Sequence, residues 1–268
     1  MSSPISAYFE RTGSGEPLVL LHAAVADSRQ WDDHVPVFAE HFDVIRYDMQ
    51  GFGRTPAAEQ PLRRADELLE LLRALEVSRA HLLGVSNGGA AAIDFAVLHP
   101  DMVGALIVVA PGLSDFVPPD QSVVDSMLAQ DALEEAAVAR GDFATATQLS
   151  MQTWLAGEGR RLEDMDPGIR QRVAELTRGA LETSSKLHPT PQLKPGAGSR
   201  LGELRAPTLL LIGDHEVPFV KSVADHIVQS IPGARRYEFS NAAHWLNMEH
   251  PTEFNSVVLE FLTAHPFD

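Results

Sequence analysis

The run Leu82-Leu83-Gly84-Val85-Ser86-Asn87-Gly88-Gly89 changes from apolar to small residues at one point, and its reading decides the fold. His81–Val85 has the aliphatic character of a buried strand, and Asn87–Leu98 reads as a helix. A serine set among glycines at such a junction has two physical uses. It can cap the helix with its hydroxyl. Alternatively it can occupy a sharp strand-to-helix turn that lifts the hydroxyl clear of the sheet, beside the unpaired N–H groups of the helix N-terminus. Glycines leave room for that turn, because side chains there would strike the adjoining strand and helix. A capping serine needs no distant partner. A nucleophilic serine needs a histidine to take its proton and a carboxylate to orient that histidine.

Outward from the junction, strand-like runs at Ile5–Arg11, Pro17–His22, Phe42–Tyr47, His81–Val85 and Ala105–Ala110 alternate with helical patterns at Ser28–Glu40, Leu62–Glu76 and Asn87–Leu98. This alternation predicts an α/β fold, a mostly parallel central sheet with helices on both faces. The turn Thr12-Gly13-Ser14-Gly15-Glu16-Pro17 predicts that the first strand pairs antiparallel through it. Residues 113–200 contain no strand-like run, and Ser122–Ala139, Ala144–Ala156 and Ile169–Leu187 predict an all-helical insertion. The alternation returns with Pro207–Gly213 and Ala234–Phe239. A last helix, Thr252–Ala264, carries Phe254, Val257, Val258 and Phe261 on one face for docking on the sheet. The expected division is a core of residues 1–112 and 201–268 with a helical unit of residues 113–200.

With 268 residues and 44% hydrophobic content the chain can bury a large core. Its 37 acidic and 21 basic residues leave a formal charge of −16, which repels phosphate backbones and anionic membrane surfaces, so neither nucleic acid nor a membrane is an expected partner. The absence of cysteine excludes disulfides, thiolate metal sites and a thiol nucleophile. No His-Glu-x-x-His pattern is present, and neither a metal nor a cofactor is expected. Met1–Glu10 lacks a basic segment followed by an apolar one, and no apolar run approaches the length of a spanning helix. The expectation is a cytoplasmic location, although a cysteine-free chain also suits export.

The distant partners that Ser86 would need follow two later strands. Pro207–Gly213 leads into Asp214-His215-Glu216-Val217-Pro218, and Ala234–Phe239 leads into Ser240-Asn241-Ala242-Ala243-His244-Trp245. With Gly84-Val85-Ser86-Asn87-Gly88, the order serine, acid, histidine resembles the α/β-hydrolase superfamily. The segments Val19–Asp32 and Arg46–Thr55 resemble that family's oxyanion-loop segment and the turn after its next strand, so the resemblance spans nearly the whole chain. It implies Ser86 as nucleophile, His244 as general base, the backbone N–H groups of Asn87 and Ala24 as oxyanion hole, and residues 113–200 as a cap. The family's Gly-x-x-Asp spacing, counted from Gly213, arrives at Glu216. Asp214 is the alternative acid and Asp115 a more distant one. Ala23 stands where the family carries glycine, and Gln50 and Thr55 stand where arginine and serine are usual. Asp48, Gly51 and Gly53 are read as structural.

The competing histidines have simpler roles. His22 supports the oxyanion loop, His215 is a local hydrogen-bonding group, and His99, His188, His250 and His265 all precede prolines. Trp31, Phe116, Met127, Met151, Trp154 and Trp245 are the candidates to line an apolar substrate pocket, although an aromatic or Met at helical spacing is more often packing. No lysine or arginine stands out in the catalytic segments, which favours a neutral substrate. The implied activity is hydrolysis of a small carboxylic ester or lactone through an acyl-Ser86 intermediate. Carbon–carbon bond hydrolases and cofactor-free perhydrolases share these motifs. A serine at 86 argues against dehalogenases and epoxide hydrolases, which use aspartate there. A non-catalytic ligand-binding relative would be expected to lose part of the serine and histidine set.

Overall fold

Aliphatic strands that are apolar on both faces need helices on both sides of a sheet, and the chain supplies them. The computed structural model describes residues 7–184 and 189–267. Strands β1 (Phe9–Gly13), β2 (Pro17–Leu21), β3 (Asp43–Tyr47), β4 (Ala80–Val85), β5 (Val103–Val109), β6 (Thr208–Gly213) and β7 (Arg235–Phe239) form one sheet in the order β1-β3-β2-β4-β5-β6-β7. All pairs are parallel except β1 with β3. The period of two is clean. Val19, Leu21, Leu82, Leu106, Val108, Leu210 and Ile212 pack into one apolar cluster, and their neighbours Leu18, Leu20, Leu83, Ile107, Val109, Leu209 and Leu211 into the other.

Nine α-helices are present among the described residues. They are α1 (Val35–Phe38), α2 (Arg64–Ala74), α3 (Asn87–Leu98), α4 (Gln121–Ala139), α5 (Phe143–Met151), α6 (Pro167–Ser184), α7 (Pro218–Ser230), α8 (Leu246–Glu249) and α9 (Pro251–Thr263). Helices α2, α3 and α7 cover the first face, and α1 and α9 the second. No strand interrupts the described residues between β5 and β6. Met151, Leu155, Leu162, Val173 and Leu176 of that stretch join the second-face cluster, so the helical segment shares an apolar core with the sheet. No described helix is long and apolar enough to cross a membrane.

Three expectations need correction. β1 is antiparallel as expected, but its partner is β3, because both edges of β2 are taken by the parallel neighbours β3 and β4. Gly13, at φ 94°, lets the chain leave β1 across the backbone of Ala39 and Phe42, where a side chain would collide. The single helix expected over Ser28–Glu40 is a 3-10 turn at Ser28–Trp31 followed by α1, since Pro36 offers no N–H to continue an earlier helix. The helix expected over Ala144–Ala156 ends at Met151 and widens into a π turn over Gln152–Ala156. Ile5 and Ser6 of the first expected strand, residues 185–187 of the last helix expected in the insertion, and His188 lie outside the described residues.

Candidate active site

The parallel strands β4, β6 and β7 deliver their following residues to one edge of the sheet. Ser86 comes directly after β4 with φ 53° and ψ −115°, a conformation that a non-glycine residue adopts only under strain. Neighbouring backbone holds it. Its N–H donates to the Val109 carbonyl (2.9 Å), and its carbonyl accepts from Ala90 (2.9 Å) and Gly112 (3.0 Å). A side chain at Gly84 would collide with the Gly88 backbone, and one at Gly88 with the carbonyls of Leu21 and His22. The glycines therefore bring the turn, the first turn of α3 and the loop after β2 into contact. Asn87 opens α3, so its N–H has no partner in the helix ladder.

The loop after β2 is held from inside. His22 is fully buried, its Nδ1–H donating to the Ala23 carbonyl (2.7 Å) while Nε2 accepts the Met49 N–H (3.0 Å). Burial pushes its imidazole below the ordinary histidine range, in keeping with this neutral tautomer. The Ala23 N–H donates to Gln30 Oε1 (3.0 Å), and Ala24 is exposed. Asp48 accepts the N–H groups of Ser28 and Arg54, each at 2.8 Å, and Gly53 packs against its carboxylate.

Glu216 and His244 meet across the loops after β6 and β7. His244 Nδ1–H donates to Glu216 Oε2 at 2.8 Å, both side chains are buried, and Glu216 Oε1 accepts the Val217 N–H (2.9 Å). Asp214, the alternative acid, accepts the Ala242 N–H (3.1 Å) instead. Its burial alone would raise its pKa, but the N–H groups of Asn241 and Ala242 outweigh that and hold it low. His215 donates from Nδ1 to the Glu158 carbonyl (2.6 Å) and accepts the Glu158 N–H at its own carbonyl (2.8 Å).

Of the six pocket candidates, Trp154 is beside His244. Its ring centroid lies 4.6 Å from the imidazole, and its carbonyl accepts the His244 N–H (3.1 Å). Trp31 is fully buried against His34 and Phe254, while Met151 and Trp245 are buried in the same second-face cluster. Phe116 stacks on His226 at 4.3 Å. Met127 lines a separate cavity of about 250 Å³ with Thr153, Gly157, Val217 and Phe219. A larger cleft of about 710 Å³ has Ala24 and Asn87 in its wall with Phe52, Arg64, Asp94 and Ser114. Arg64 is its one described cation, and Arg64 already pairs with Glu67 (2.9 Å) and donates to the Gln50 carbonyl (2.9 Å). Burial raises the carboxyl groups of both Glu67 and Asp94.

A strained serine at the strand-to-helix turn after β4, with a buried glutamate–histidine pair on the loops after β6 and β7 of the same sheet, is the layout of one fold family, whose sequence model matches residues 16–251 under the description alpha/beta hydrolase fold. The chain belongs to the α/β-hydrolase fold family. Two of its relatives are named as hydrolases. A 2-hydroxy-6-oxononadienedioate/2-hydroxy-6-oxononatrienedioate hydrolase of Burkholderia vietnamiensis is 32% identical, over 96% of this chain and 91% of that one. A 2-hydroxy-6-oxo-6-phenylhexa-2,4-dienoate hydrolase of Comamonas testosteroni is 28% identical, over 95% and 90%. Among solved structures, a hydrolase from Pseudomonas aeruginosa PA01 superposes with a TM-score of 0.76 at 25% identity, covering 97% of this chain and 96% of the other. The enol-lactonase from Burkholderia xenovorans LB400 has the same TM-score at 19% identity, over 96% of both chains, and shares the fold.

The backbone on either side of His244 and Trp154 is held by an ion pair that no sequence motif marks. Arg160 donates to the carbonyls of Leu155 (2.6 Å), Ala156 (2.7 Å) and Asn241 (2.7 Å) and pairs with Glu249 (2.6 Å), which accepts the Ala243 N–H (3.0 Å). The only local signal is Gly157-Glu158-Gly159, which ends the helical pattern just before Arg160. Nothing in the residue types announces a partner 89 positions away.

Proposed function

We propose that the protein is a serine hydrolase that attacks a carbonyl carbon with Ser86, using His244 as general base and Glu216 to orient it. The observation that carries this reading is the buried Glu216–His244 hydrogen bond at the sheet edge that also bears the strained Ser86 turn. Glu216 accepts the Nδ1–H and so leaves Nε2 as the base. As Ser86 adds, the carbonyl oxygen becomes negative, and the N–H groups of Asn87 and Ala24 are the donors for it, each contributing roughly 3 kcal/mol to the transition state. Residues 113–200 act as the cap, its Trp154 turn resting on His244.

The relatives' names point to the substrate class. A 2-hydroxy-6-oxo-dienoate contains no ester or amide, so hydrolysing it breaks a carbon–carbon bond beside the 6-ketone. After the 2-hydroxyl gives up its proton and C5 gains one, Ser86 adds to C6 and the C5–C6 bond breaks. Its electrons pass into a dienolate ending on the 2-oxygen, which is then protonated, and water releases the acyl group from Ser86. We take this as the first reading, ahead of the ester or lactone expected from sequence. Ester or lactone hydrolysis stays as the second reading on one observation, that Arg64, the described cation of the cleft, is already engaged by Glu67.

Purified protein given a 2-hydroxy-6-oxo-dienoate and, separately, a short-chain p-nitrophenyl ester tests both levels. Loss of all turnover in Ser86→Ala is expected, and activity surviving that change would sink the mechanism. A kcat/KM for the ester more than about 100-fold above that for the dienoate, a gap of nearly 3 kcal/mol, would reverse the order of the two readings.

A further inference from the structure

The four residues Asn241-Ala242-Ala243-His244 are anchored one by one. Arg160 takes the Asn241 carbonyl, Asp214 the Ala242 N–H, Glu249 the Ala243 N–H, and the Trp154 carbonyl the His244 N–H. Two of these anchors are the same ion pair. Arg160 and Glu249 are 11% and 6% exposed, and all three nitrogens of the guanidinium are used. Nε and Nη2 take the Ala156 and Leu155 carbonyls at the end of the π turn, Nη1 takes Asn241, and Nη1 and Nη2 both reach Glu249. A planar fork can bind the end of one segment and the start of another in fixed geometry, which an ammonium cannot reproduce.

We propose that Arg160, through Glu249, is a positioning residue that sets the His244 imidazole against Ser86 and couples it to the Trp154 turn of the helical insertion. The inference rests on the reading of His244 as the base that activates Ser86. Trp154 touches the His244 ring and its backbone, and Arg160 fixes both the turn that carries Trp154 and the loop that carries His244. A shift of either segment therefore displaces the base relative to the serine. Asp214 belongs to the same scaffold and holds the residue between those that Arg160 and Glu249 hold.

The rate at which an alkyl fluorophosphonate labels Ser86 reads activation of the serine without reference to the natural substrate. In Arg160→Lys that rate and kcat should fall on the order of 10- to 100-fold while KM stays within about threefold, because misplacement of a catalytic group acts on the reacting geometry. Glu249→Gln retains an acceptor oxygen for Ala243 and should fall less. Guanidinium ion added to Arg160→Gly should restore part of the labelling rate, a rescue that general loss of stability would not give. Wild-type labelling rates in Arg160→Lys, with its melting temperature unchanged, would overturn the proposal, as would failure of guanidinium to speed Arg160→Gly. If Arg160→Lys does not fold, Glu249→Gln decides alone, a wild-type rate again overturning the proposal. Absence of labelling at Ser86 in the unsubstituted protein would instead overturn the nucleophile reading, and the positioning role with it.

Discussion

At residue 216 a glutamate stands where the spacing of the family asks for aspartate, and the extra methylene changes where the carboxylate must be held. Glu216 spans the gap with one oxygen on His244 and the other on the Val217 N–H, so both ends are fixed. Asp214, two residues earlier, spends its carboxylate on the Ala242 backbone. The two acids that sequence alone left open thus have separable expected effects. Glu216→Gln should lower kcat by roughly 10³- to 10⁴-fold, since the amide no longer selects the Nδ1–H tautomer of His244. Asp214→Asn keeps an acceptor oxygen for Ala242 and should cost less than about tenfold. Glu216→Asp should fall between them, the shorter side chain losing reach. Steady-state kinetics on the three variants decide the assignment, and a larger loss in Asp214→Asn than in Glu216→Gln would reverse it.

Among the elements, those of the candidate site were the most legible. The β4–α3 junction was readable because a strained turn demands glycines at fixed offsets, and Asn87–Leu98 is the observed helix to the residue. The β6 and β7 loops were readable because acid and histidine follow strands with known spacing. The insertion was legible as helical but not in detail. Periodicity cannot show that a helix widens at Gln152–Ala156, since the same residues fit either winding. The widened turn is the one whose carbonyls leave the helix ladder for tertiary partners, Leu155 and Ala156 accepting from Arg160 and Trp154 from the His244 N–H. For the same reason the aromatic candidates could not be sorted from sequence. Trp31 and Trp154 look alike in sequence, and only docking separates a core side chain from one against His244. The element that closes this turn offers a test. Gly157 has φ 68° and ψ −154°, a region open essentially to glycine, and a side chain there would strike the His215 carbonyl. Gly157→Ala should cost about 2–3 kcal/mol and lower kcat as the turn shifts off the acid loop. Gly159→Ala, at φ 73° but with only His215 Nδ1 near a new Cβ, at an ordinary 4.0 Å, should cost about 1 kcal/mol with little loss of kcat. Urea denaturation paired with kinetics on both variants separates the two cases.

Across the whole molecule the site is assembled from segments far apart in sequence, and a buried polar chain beneath it ties them together. The Ala23 N–H donates to Gln30 Oε1, the Gln30 carbonyl accepts from Asn247 Nδ2 (3.4 Å), Asn247 Nδ2 also donates to His34 Nε2 (3.2 Å), and His34 Nδ1–H donates to Asn255 Oδ1 (2.7 Å). The loop after β2 is thereby linked to α8, which follows His244, and to α9. This chain requires a neutral His34. A proton on Nε2 would face the Asn247 amide, itself a donor, and burial pushes the His34 pKa down to about 4. The folded pKa is depressed below the ordinary histidine value, so between about pH 6.5 and 4 the unfolded chain takes up a proton that the folded chain refuses. Stability therefore falls as pH drops through that window, by roughly 2–3 kcal/mol from His34 at its lower end, and this contribution levels off below it. His22 and His81, also held low by burial, add losses of the same sign. In His34→Gln the protein should be less stable at pH 7.5, because the chain is interrupted, yet should lose less on acidification. Urea denaturation of both proteins at pH 7.5 and 4.5 measures that difference of differences. A pH-dependent loss of equal size in the two would show that His34 carries no proton linkage and that the polar chain does not depend on its neutrality.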